Sequence, residues 1–248
     1  MGRPPPDLQQ LGDEEHPIHI SSLDLLLSCP WAFTGRIWEM TDDTVGAAAH
    51  TGTAVGRVIE LWHLGDELKK ALTKAKIESN TSDRPFDLAE WDEVEELATA
   101  YVAAGSRDDA EKVEHVVKGE IAPGVFVTGR LDQTRRAGGV EEVWDLKAGK
   151  PSGSHMLVSY ACQLAGYAVA GGFSIGGIIR LRDYPKGRTC LYRAGFGLPE
   201  AELLMSMCAD EVERIREGDI NARPSEKCMW CRWGGIGECL AVLRKARD

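Results

Sequence analysis

The sequence predicts an α/β protein in which helices flank a mixed central sheet. Helical periodicity dominates the first hundred residues, short β-rich segments separated by glycine turns follow, and strands then alternate with helices. The 248 residues suffice for a domain with a substantial core. A content of 43% hydrophobic and 27% charged residues is that of an ordinary globular chain.

The first hundred residues are predicted to be mainly helical. Residues 1–18 form a flexible, Pro-rich lead-in without the apolar core of a signal peptide, and residues 19–105 form a helical region. Its first helix begins at Ser21-Ser22-Leu23-Asp24, which resembles a capping box, and ends at Cys29, before Pro30. Further helices are expected at about residues 51–64, 66–78 and 88–104, with a turn-rich loop at 79–85.

A three-stranded meander opens the predicted core, residues 106–220. Pro123-Gly124 and Gly138-Gly139 supply its turns, and the next helix stops at Gly171-Gly172. The predicted strands are at about residues 115–121, 125–132, 140–147, 174–183 and 189–196, and the helices at about 155–170 and 199–217. Residues 221–248 form an appendage rich in Cys and Trp.

Composition and charge limit the classes of function. No run approaches the roughly 18 apolar residues that span a bilayer, so a cytoplasmic protein without membrane contact is expected. The net charge of −10 argues mildly against nucleic acid as a partner. However, ten basic and only five acidic residues lie between Arg130 and Arg193, which leaves −15 for the remainder of the chain. This asymmetry removes most of the objection.

An acidic and basic constellation lies in the predicted meander. Asp145 and Lys147, two apart on one strand, project to the same face, and Asp132 on the preceding strand can face them. Two carboxylates can hold Mg²⁺, and an ammonium can orient or help deprotonate a bound water and neutralise a phosphate. Alone, an Asp-x-Lys pair is more often a solvated ion pair. Gln163 and Tyr167, four apart on the following helix, share one of its faces.

Three motifs carry a resemblance to a known family. Gly129-x-x-Asp132, then Asp145-x-Lys147-Ala148-Gly149, then Gln163-x-x-x-Tyr167 resemble, in order and spacing, the RecB-like nucleases of the PD-(D/E)XK superfamily, whose core is restriction-endonuclease-like. The resemblance implies that Asp132 and Asp145 bind Mg²⁺ or Mn²⁺, helped by the backbone carbonyl of Leu146. It also implies that Lys147 is catalytic and that Gln163 and Tyr167 shape the site and contact DNA.

One position departs from the family pattern. The family carries a metal-binding His in a G-x-x-x-H motif on an early helix, and here Gly52 is followed by Gly56 in its place. Glu60, four residues on and on the same helical face, is expected to supply the missing catalytic oxygen ligand. His63 is a weaker substitute. Alternatively, the site has lost a ligand and is weak or inactive.

Seven cysteines in such a chain favour metal ligands or buried thiols over disulfides. Cys228-x-x-Cys231 followed by Cys239 has the spacing of a metal knuckle, and Cys29 is the expected fourth ligand. Closing the loop from Cys29 to Cys228 costs about 5 kcal/mol, less than the about 10–16 kcal/mol of structural metal binding. The spacing fits zinc or iron–sulfur equally. Three other cysteines, Cys162, Cys190 and Cys208, are expected to be buried and inert.

The cysteine pattern also resembles the iron–sulfur branch of the superfamily, which includes the AddB-type nuclease domain and the small exonuclease of CRISPR adaptation. That resemblance implies a [4Fe–4S] cluster at the four cysteines. The expected function is a Mg²⁺- or Mn²⁺-dependent DNA exonuclease that favours single strands or ends, in recombination, repair or CRISPR adaptation with proteins of those pathways. A phage-encoded origin fits the stand-alone size. The alternative is a catalytically silent module of the same fold that binds DNA or a partner.

Overall fold

The computed structural model describes residues 7–39, 47–80, 87–105, 107–149, 155–188 and 190–223. Its helices are α1 Leu23–Ser28, α2 Pro30–Glu39, α3 Ala47–His63, α4 Leu68–Asn80, α5 Leu88–Ala104, α6 His155–Gly171 and α7 Leu198–Arg216. Its strands are β1 Ile18–His19, β2 Lys112–Ala122, β3 Val125–Ala137, β4 Val140–Lys147, β5 Ser174–Arg180 and β6 Leu191–Arg193. Within this part of the chain, none of the helices has the length and apolar character needed to cross a membrane.

The longest strand, β3, organises the sheet. Along one edge it pairs antiparallel with β2 over residues 125–134. Along the other edge it pairs first with β1, in parallel at residues 127 and 128, and then antiparallel with β4 over residues 133–137. The sheet continues with β5 parallel to β4 and β6 antiparallel to β5. The predicted mixed sheet and its three-stranded meander are thereby confirmed.

Side chains of the sheet alternate between two hydrophobic cores, as the two-residue period of a strand requires. On β4, Val143 packs into a core with α1, α6 and α7, whereas Trp144 packs into a second core with α3, α4 and α5. On β5, Ile178 and Ile179 divide between the same two cores. Helices therefore cover both faces of the sheet, as predicted for the α/β class.

Element boundaries agree best where the apolar pattern is long. The predictions for α5 and β4 match the observed bounds, and α6 ends one residue later than predicted. The strand predicted to reach residue 183 ends at Arg180, because a 3-10 helix over Leu181–Lys186 takes over. The strand predicted for residues 189–196 is reduced to β6, Leu191–Arg193.

At the N-terminal side one local prediction is wrong and one helix was not predicted. Ser22 makes no side-chain bond to the start of α1, so no capping box forms there; instead the backbone N–H of Ser21 donates to the His19 side chain. Cys29 does end α1, but Pro30 then begins the additional helix α2. The first position of a helix tolerates proline because its N–H would have no partner within the helix.

Candidate active site

A cleft of about 860 Å³ lies between α3, α6 and the part of the sheet where β3 and β4 separate. It brings together the site residues predicted from the three motifs and, from the early helix, Glu60. They are Glu60, Asp132, Asp145, Leu146, Lys147, Gln163 and Tyr167.

The position of Asp132 follows from the way the β3–β4 ladder ends. The last pair on this side is Gln133 with Trp144, so the two strands diverge beyond it. The backbone N–H of Leu146 then has no strand partner on that side, and it donates to Asp132 Oδ2 at 2.5 Å. Asp132, in the interior of β3, therefore links this strand to the end of β4 and is held with its carboxylate directed towards β4.

Asp145 and Lys147 project from the end of β4 into the same cleft, as their spacing predicts. Lys147 Nζ lies 2.6 Å from Asp145 Oδ2, and the two side chains are 22% and 6% exposed. From α6, Gln163 Oε1 accepts a hydrogen bond from Lys147 Nζ at 3.0 Å. The ring of Tyr160 lies 4.7 Å from the same nitrogen. The ammonium is thus fixed from three directions.

Burial and like charges control the electrostatics of the site. Burial, followed by the charge of Asp145, raises the pKa of Asp132 well above its usual range, and Lys147 only partly opposes this. Burial lowers the pKa of Lys147, but the charges of Asp145 and Asp132 outweigh burial and leave that pKa raised. Two carboxylates thus share a poorly solvated site in which one ammonium balances part of their charge.

The glycine and tyrosine of the motifs hold α6 against β3. The Tyr167 hydroxyl donates to the carbonyl oxygen of Arg130 at 2.8 Å. A Cβ on Gly129 would lie 3.0 Å from the Tyr167 ring and 3.1 Å from Ile20 Cβ, so a larger residue there would force the layers apart. Tyr167 is 4% exposed, which fits its predicted role in shaping the site. Its predicted contact with DNA stays a prediction.

Helix α3 forms the opposite wall of the cleft. Gly56 lies on this wall, and Glu60, one turn later, is bound by Arg57 Nη1 at 2.5 Å. Arg57 Nε also binds Glu78 Oε2 at 2.8 Å. Glu60 therefore lines the site as one half of an ion pair, and its predicted role as a metal ligand stays a prediction.

His63 does not lie in the cleft, so the structure does not support it as a substitute ligand. Its Nδ1 contacts the carbonyl oxygen of Arg107 at 3.0 Å, and its Nε2 contacts the Tyr101 hydroxyl at 2.9 Å. Both ring nitrogens are thus used in a separate polar network between α3, α5 and the sheet.

The cleft is also lined by residues that were not predicted as site residues from the sequence, among them Glu114 and Arg130. Glu114 on β2 lines it with a side chain that is 14% exposed, and Arg130 Nε lies 2.7 Å from Glu114 Oε2. Glu114 lies in a strand segment with no recognisable motif, so no pattern in the sequence marks it.

Cys29 is buried at the end of α1. The other three predicted cluster ligands, Cys228, Cys231 and Cys239, lie outside the described residues. Cys162, Cys190 and Cys208 are buried thiols, as predicted. Burial raises the pKa of Cys208, which keeps this thiol protonated and unreactive.

The chemistry of the donor set fits a divalent cation. Asp132 and Asp145 offer hard carboxylate oxygens, and their mutual repulsion in a buried site is relieved by added positive charge. Across the residues that the structure describes, no group of three His, Cys, Asp or Glu side chains is placed to hold a metal ion. Mg²⁺ would therefore need further oxygen ligands beside Asp132 and Asp145, some of them water, as is usual for this ion.

Comparison with known proteins supports the family resemblance indicated by the three motifs. The model of the PD-(D/E)XK nuclease superfamily matches residues 18–236. A candidate exonuclease from Eubacterium rectale has a similar fold, with a TM-score of 0.53 and 16% identity over 90% of this chain and 89% of its own. The structure of SSO0001 matches with a TM-score of 0.35 and 17% identity over 72% of this chain and 80% of its own, too low to carry an argument. No curated protein matches this sequence. Because the family match includes the whole cleft, the chain belongs to the PD-(D/E)XK nuclease superfamily.

Proposed function

We propose that the protein is a metal-dependent DNA exonuclease that hydrolyses phosphodiester bonds at ends or in single strands. The observation that carries the proposal is the convergence of Asp132, Asp145 and Lys147 in one cleft, supported by Gln163. Family membership supports a nuclease acting on DNA. The preference for ends, and a role in recombination, repair or CRISPR adaptation, rest on the motif resemblance.

Each residue of the site has a proposed role. Asp132, Asp145 and the carbonyl oxygen of Leu146 would hold Mg²⁺ or Mn²⁺, and Glu60 remains a further candidate ligand. When bound, the metal supplies Lewis acidity at the scissile phosphate and lowers the pKa of a water molecule. Lys147, fixed by Asp145 and Gln163, orients the attacking water and balances charge on the phosphate. Gln163 keeps that ammonium in place.

The test compares linear with circular single-stranded DNA of one sequence, and linear duplex DNA, in Mg²⁺, Mn²⁺ or EDTA. We expect wild-type protein to degrade the linear substrates only, and only with metal. Asp145→Asn should lower the rate by about 100-fold or more, because a proposed ligand of the catalytic metal is removed. Glu142→Gln on the same strand is the matched control, because its carboxylate pairs with Arg193 outside the cleft.

Cleavage of the circular substrate would instead indicate an endonuclease. The alternative function is a catalytically silent module that binds DNA or a partner, and Gly56 in the ligand position favours it. Equal residual activity of wild type and Asp145→Asn would support that alternative. If Glu60 is the replacement ligand, Glu60→Ala abolishes metal-dependent cleavage; full activity in this variant would exclude Glu60 from the catalytic set.

We further propose that Cys29, Cys228, Cys231 and Cys239 hold a [4Fe–4S] cluster. The support is that the chain after α7 returns to the end of α1. The Trp31 backbone N–H donates to the Asn221 carbonyl oxygen at 3.2 Å, and Arg223 Nη1 donates to the Leu27 carbonyl oxygen at 2.8 Å. Residue 221 is thereby placed beside Cys29, seven residues before Cys228 in the sequence.

Metal analysis of protein purified without oxygen tests the cluster. We expect about four iron and four sulfide per chain, and their loss in Cys231→Ser. Cys190→Ser is the matched control, because this cysteine is free and buried elsewhere. A result of one zinc per chain and no iron would indicate a zinc site instead of the cluster.

A further inference from the structure

Glu114 lies on β2 at an interruption of the β2–β3 ladder, opposite the part of β3 that carries Asp132. The register passes from Val113 paired with Gln133 to His115 paired with Leu131, so neither Glu114 nor Asp132 has a partner in the ladder. Glu114 also has a φ of +47°, the one positive value outside glycine among the described residues. A residue with a Cβ rarely adopts such a conformation, and residues that do so cluster at functional sites.

The interruption directs the Glu114 side chain towards α3, to the position that the family's histidine would occupy. A Cβ built on Gly56 would lie 3.6 Å from Glu114 Oε1. The glycine on α3 thus leaves the space next to its backbone open, and a carboxylate from the facing strand reaches its edge. The absence of a side chain at Gly56 and the presence of the Glu114 carboxylate thus belong to the same local arrangement.

The surroundings of Glu114 are those of the metal site. The carboxylate lines the cleft with Asp132 and Asp145, and its charge acts on Asp132. Arg130, which binds Glu114 Oε2, is 62% exposed, so this counterion can leave at little cost. A cation in the cleft can therefore take over the carboxylate that Arg130 holds in its absence.

We infer that Glu114 supplies the third carboxylate of the metal site and replaces the ligand that is missing at Gly56. This inference rests on the proposed metal-dependent function. It differs from the expectation that Glu60 is the replacement ligand. The Glu60 carboxylate lies on the α3 wall and pairs with Arg57, which also binds Glu78.

Mn²⁺ binding by calorimetry, and the Mn²⁺-induced rise in melting temperature, test the inference on the full chain without relying on activity. Glu114→Gln should weaken Mn²⁺ binding by about 10-fold to 100-fold, and Glu60→Gln by less than about 3-fold. The reverse order of the two variants would assign the role to Glu60 and overturn the inference. Equal binding by wild type and Glu114→Gln would also overturn it.

Two further variants separate a ligand from a structural ion pair. Glu114→Gly should keep or raise the melting temperature without Mn²⁺, because glycine accepts a positive φ, and should still lose Mn²⁺ binding. A lower melting temperature with full Mn²⁺ binding would mean that Glu114 only pairs with Arg130. Adding Gly56→His to Glu114→Gly should restore Mn²⁺ binding, since α3 then provides the family ligand; no gain over the single variant would count against the inference.

Asp145→Asn separates failure of the inference from failure of the proposed function. Loss of Mn²⁺ binding in Asp145→Asn together with wild-type binding in Glu114→Gln overturns the role of Glu114 alone. Wild-type binding in both variants, or no Mn²⁺ binding by the wild-type chain, overturns the metal site and the inference together.

Discussion

At the scale of single residues, the position of Lys147 depends on groups that do no chemistry themselves. Gln163 Oε1 accepts from its ammonium at 3.0 Å, and the Tyr160 ring packs over it at 4.7 Å. Without Gln163, the ammonium keeps the Tyr160 ring and Asp145, whose carboxylate lies 2.6 Å away. The ammonium would then be drawn towards the carboxylate and away from the substrate.

Gln163→Leu is therefore expected to lower the rate of DNA cleavage by about 10-fold to 100-fold, because the catalytic group is misplaced rather than removed. Mn²⁺ affinity should stay within about 2-fold of wild type, since Gln163 is not a proposed ligand. Cleavage kinetics and calorimetry measure the two quantities. Gln9→Leu at an exposed position is the control, and a parallel loss of Mn²⁺ binding in Gln163→Leu would contradict a positioning role.

At Gly119 the backbones of β2 and α6 approach so closely that no side chain larger than a hydrogen atom fits between them. A Cβ at this position of β2 would overlap the carbonyl group of Ala170 on α6. Gly119→Ala should lower the free energy of unfolding by about 1–3 kcal/mol, because backbone must move. Gly195→Ala, which meets nothing within 4 Å, should stay within about 0.5 kcal/mol of wild type. Chemical denaturation measures both; equal stabilities would refute the close approach.

The residues of the site differ in how far sequence could identify them. Asp132, Asp145 and Lys147 lie in short motifs whose strand period fixes their relative directions. Gln163 follows from helical spacing in the same way. Glu114 could not be found, because its direction depends on an interruption of strand pairing, and pairing is a property of two distant segments.

At the scale of secondary-structure elements, the sequence was informative where the apolar pattern was long and the stop signals were strong. Helix α6 ends at the predicted Gly171, and β4 is bounded by a glycine turn. Helix α2 was missed because Pro30 was taken as an end signal, whereas proline is equally suited to a helix start. The six-residue 3-10 helix after β5 contains Pro185, so the backbone there cannot continue a strand ladder.

Three elements are joined by a buried polar chain. His63 of α3 donates from Nδ1 to the Arg107 carbonyl, which leaves Nε2 to accept from the Tyr101 hydroxyl of α5. That hydroxyl accepts from the amide nitrogen of Gln133 on β3, and the amide oxygen accepts from Arg135. Every member is satisfied only when the imidazole of His63 is neutral.

This chain predicts a pH dependence of stability. Burial lowers the pKa of His63 below 6.5, so below pH 6.5 the unfolded chain binds a proton that the folded chain resists. Stability contributed by neutral His63 is complete above pH 6.5 and decreases as the pH falls. Denaturation at pH 7.5 and pH 5.5 should therefore show a smaller pH effect in His63→Gln than in wild type. An unchanged difference between the two pH values would contradict the neutral imidazole.

At the scale of the whole molecule, the basic window between Arg130 and Arg193 is less available to DNA than its composition indicates. Arg130 pairs with Glu114, Arg136 with Glu111 and Arg193 with Glu142, at 2.7, 2.9 and 2.9 Å. Glu111 and Glu114 precede the basic window in sequence, and the fold brings their carboxylates into contact with arginines of that window. The net charge of −10 therefore keeps more weight against tight nonspecific binding than the sequence pattern indicated.

The N-terminal segment and α7 close the molecule against each other, although they are about two hundred residues apart in sequence. Arg216 Nε donates to the carbonyl oxygen of Leu11 at 2.9 Å, and its Nη2 donates to the carbonyl oxygen of Gly124 at 3.0 Å. The turn between β2 and β3 and the lead-in to β1 are thus both fixed to one guanidinium. Its side chain is 17% exposed, and its bond to Leu11 is partly buried, so water cannot readily replace that bond.

Arg216→Ala should consequently lower the free energy of unfolding by roughly 1–3 kcal/mol, because two backbone carbonyls lose their donor and that of the buried Leu11 is poorly hydrated. Arg193→Ala is the matched control, since its guanidinium is 61% exposed and pairs on the surface with Glu142, and its loss should cost less than about 1 kcal/mol. Urea denaturation measures the free energy of unfolding of both variants.

Arg216→Lys separates the effect of charge from that of geometry. An ammonium keeps the charge but lacks the planar fork of donors that reaches both carbonyls, so this variant should recover only part of the lost stability. Full recovery by lysine would show that charge alone holds the two segments, and equal costs in the two alanine variants would show that this closure contributes no more than an exposed ion pair.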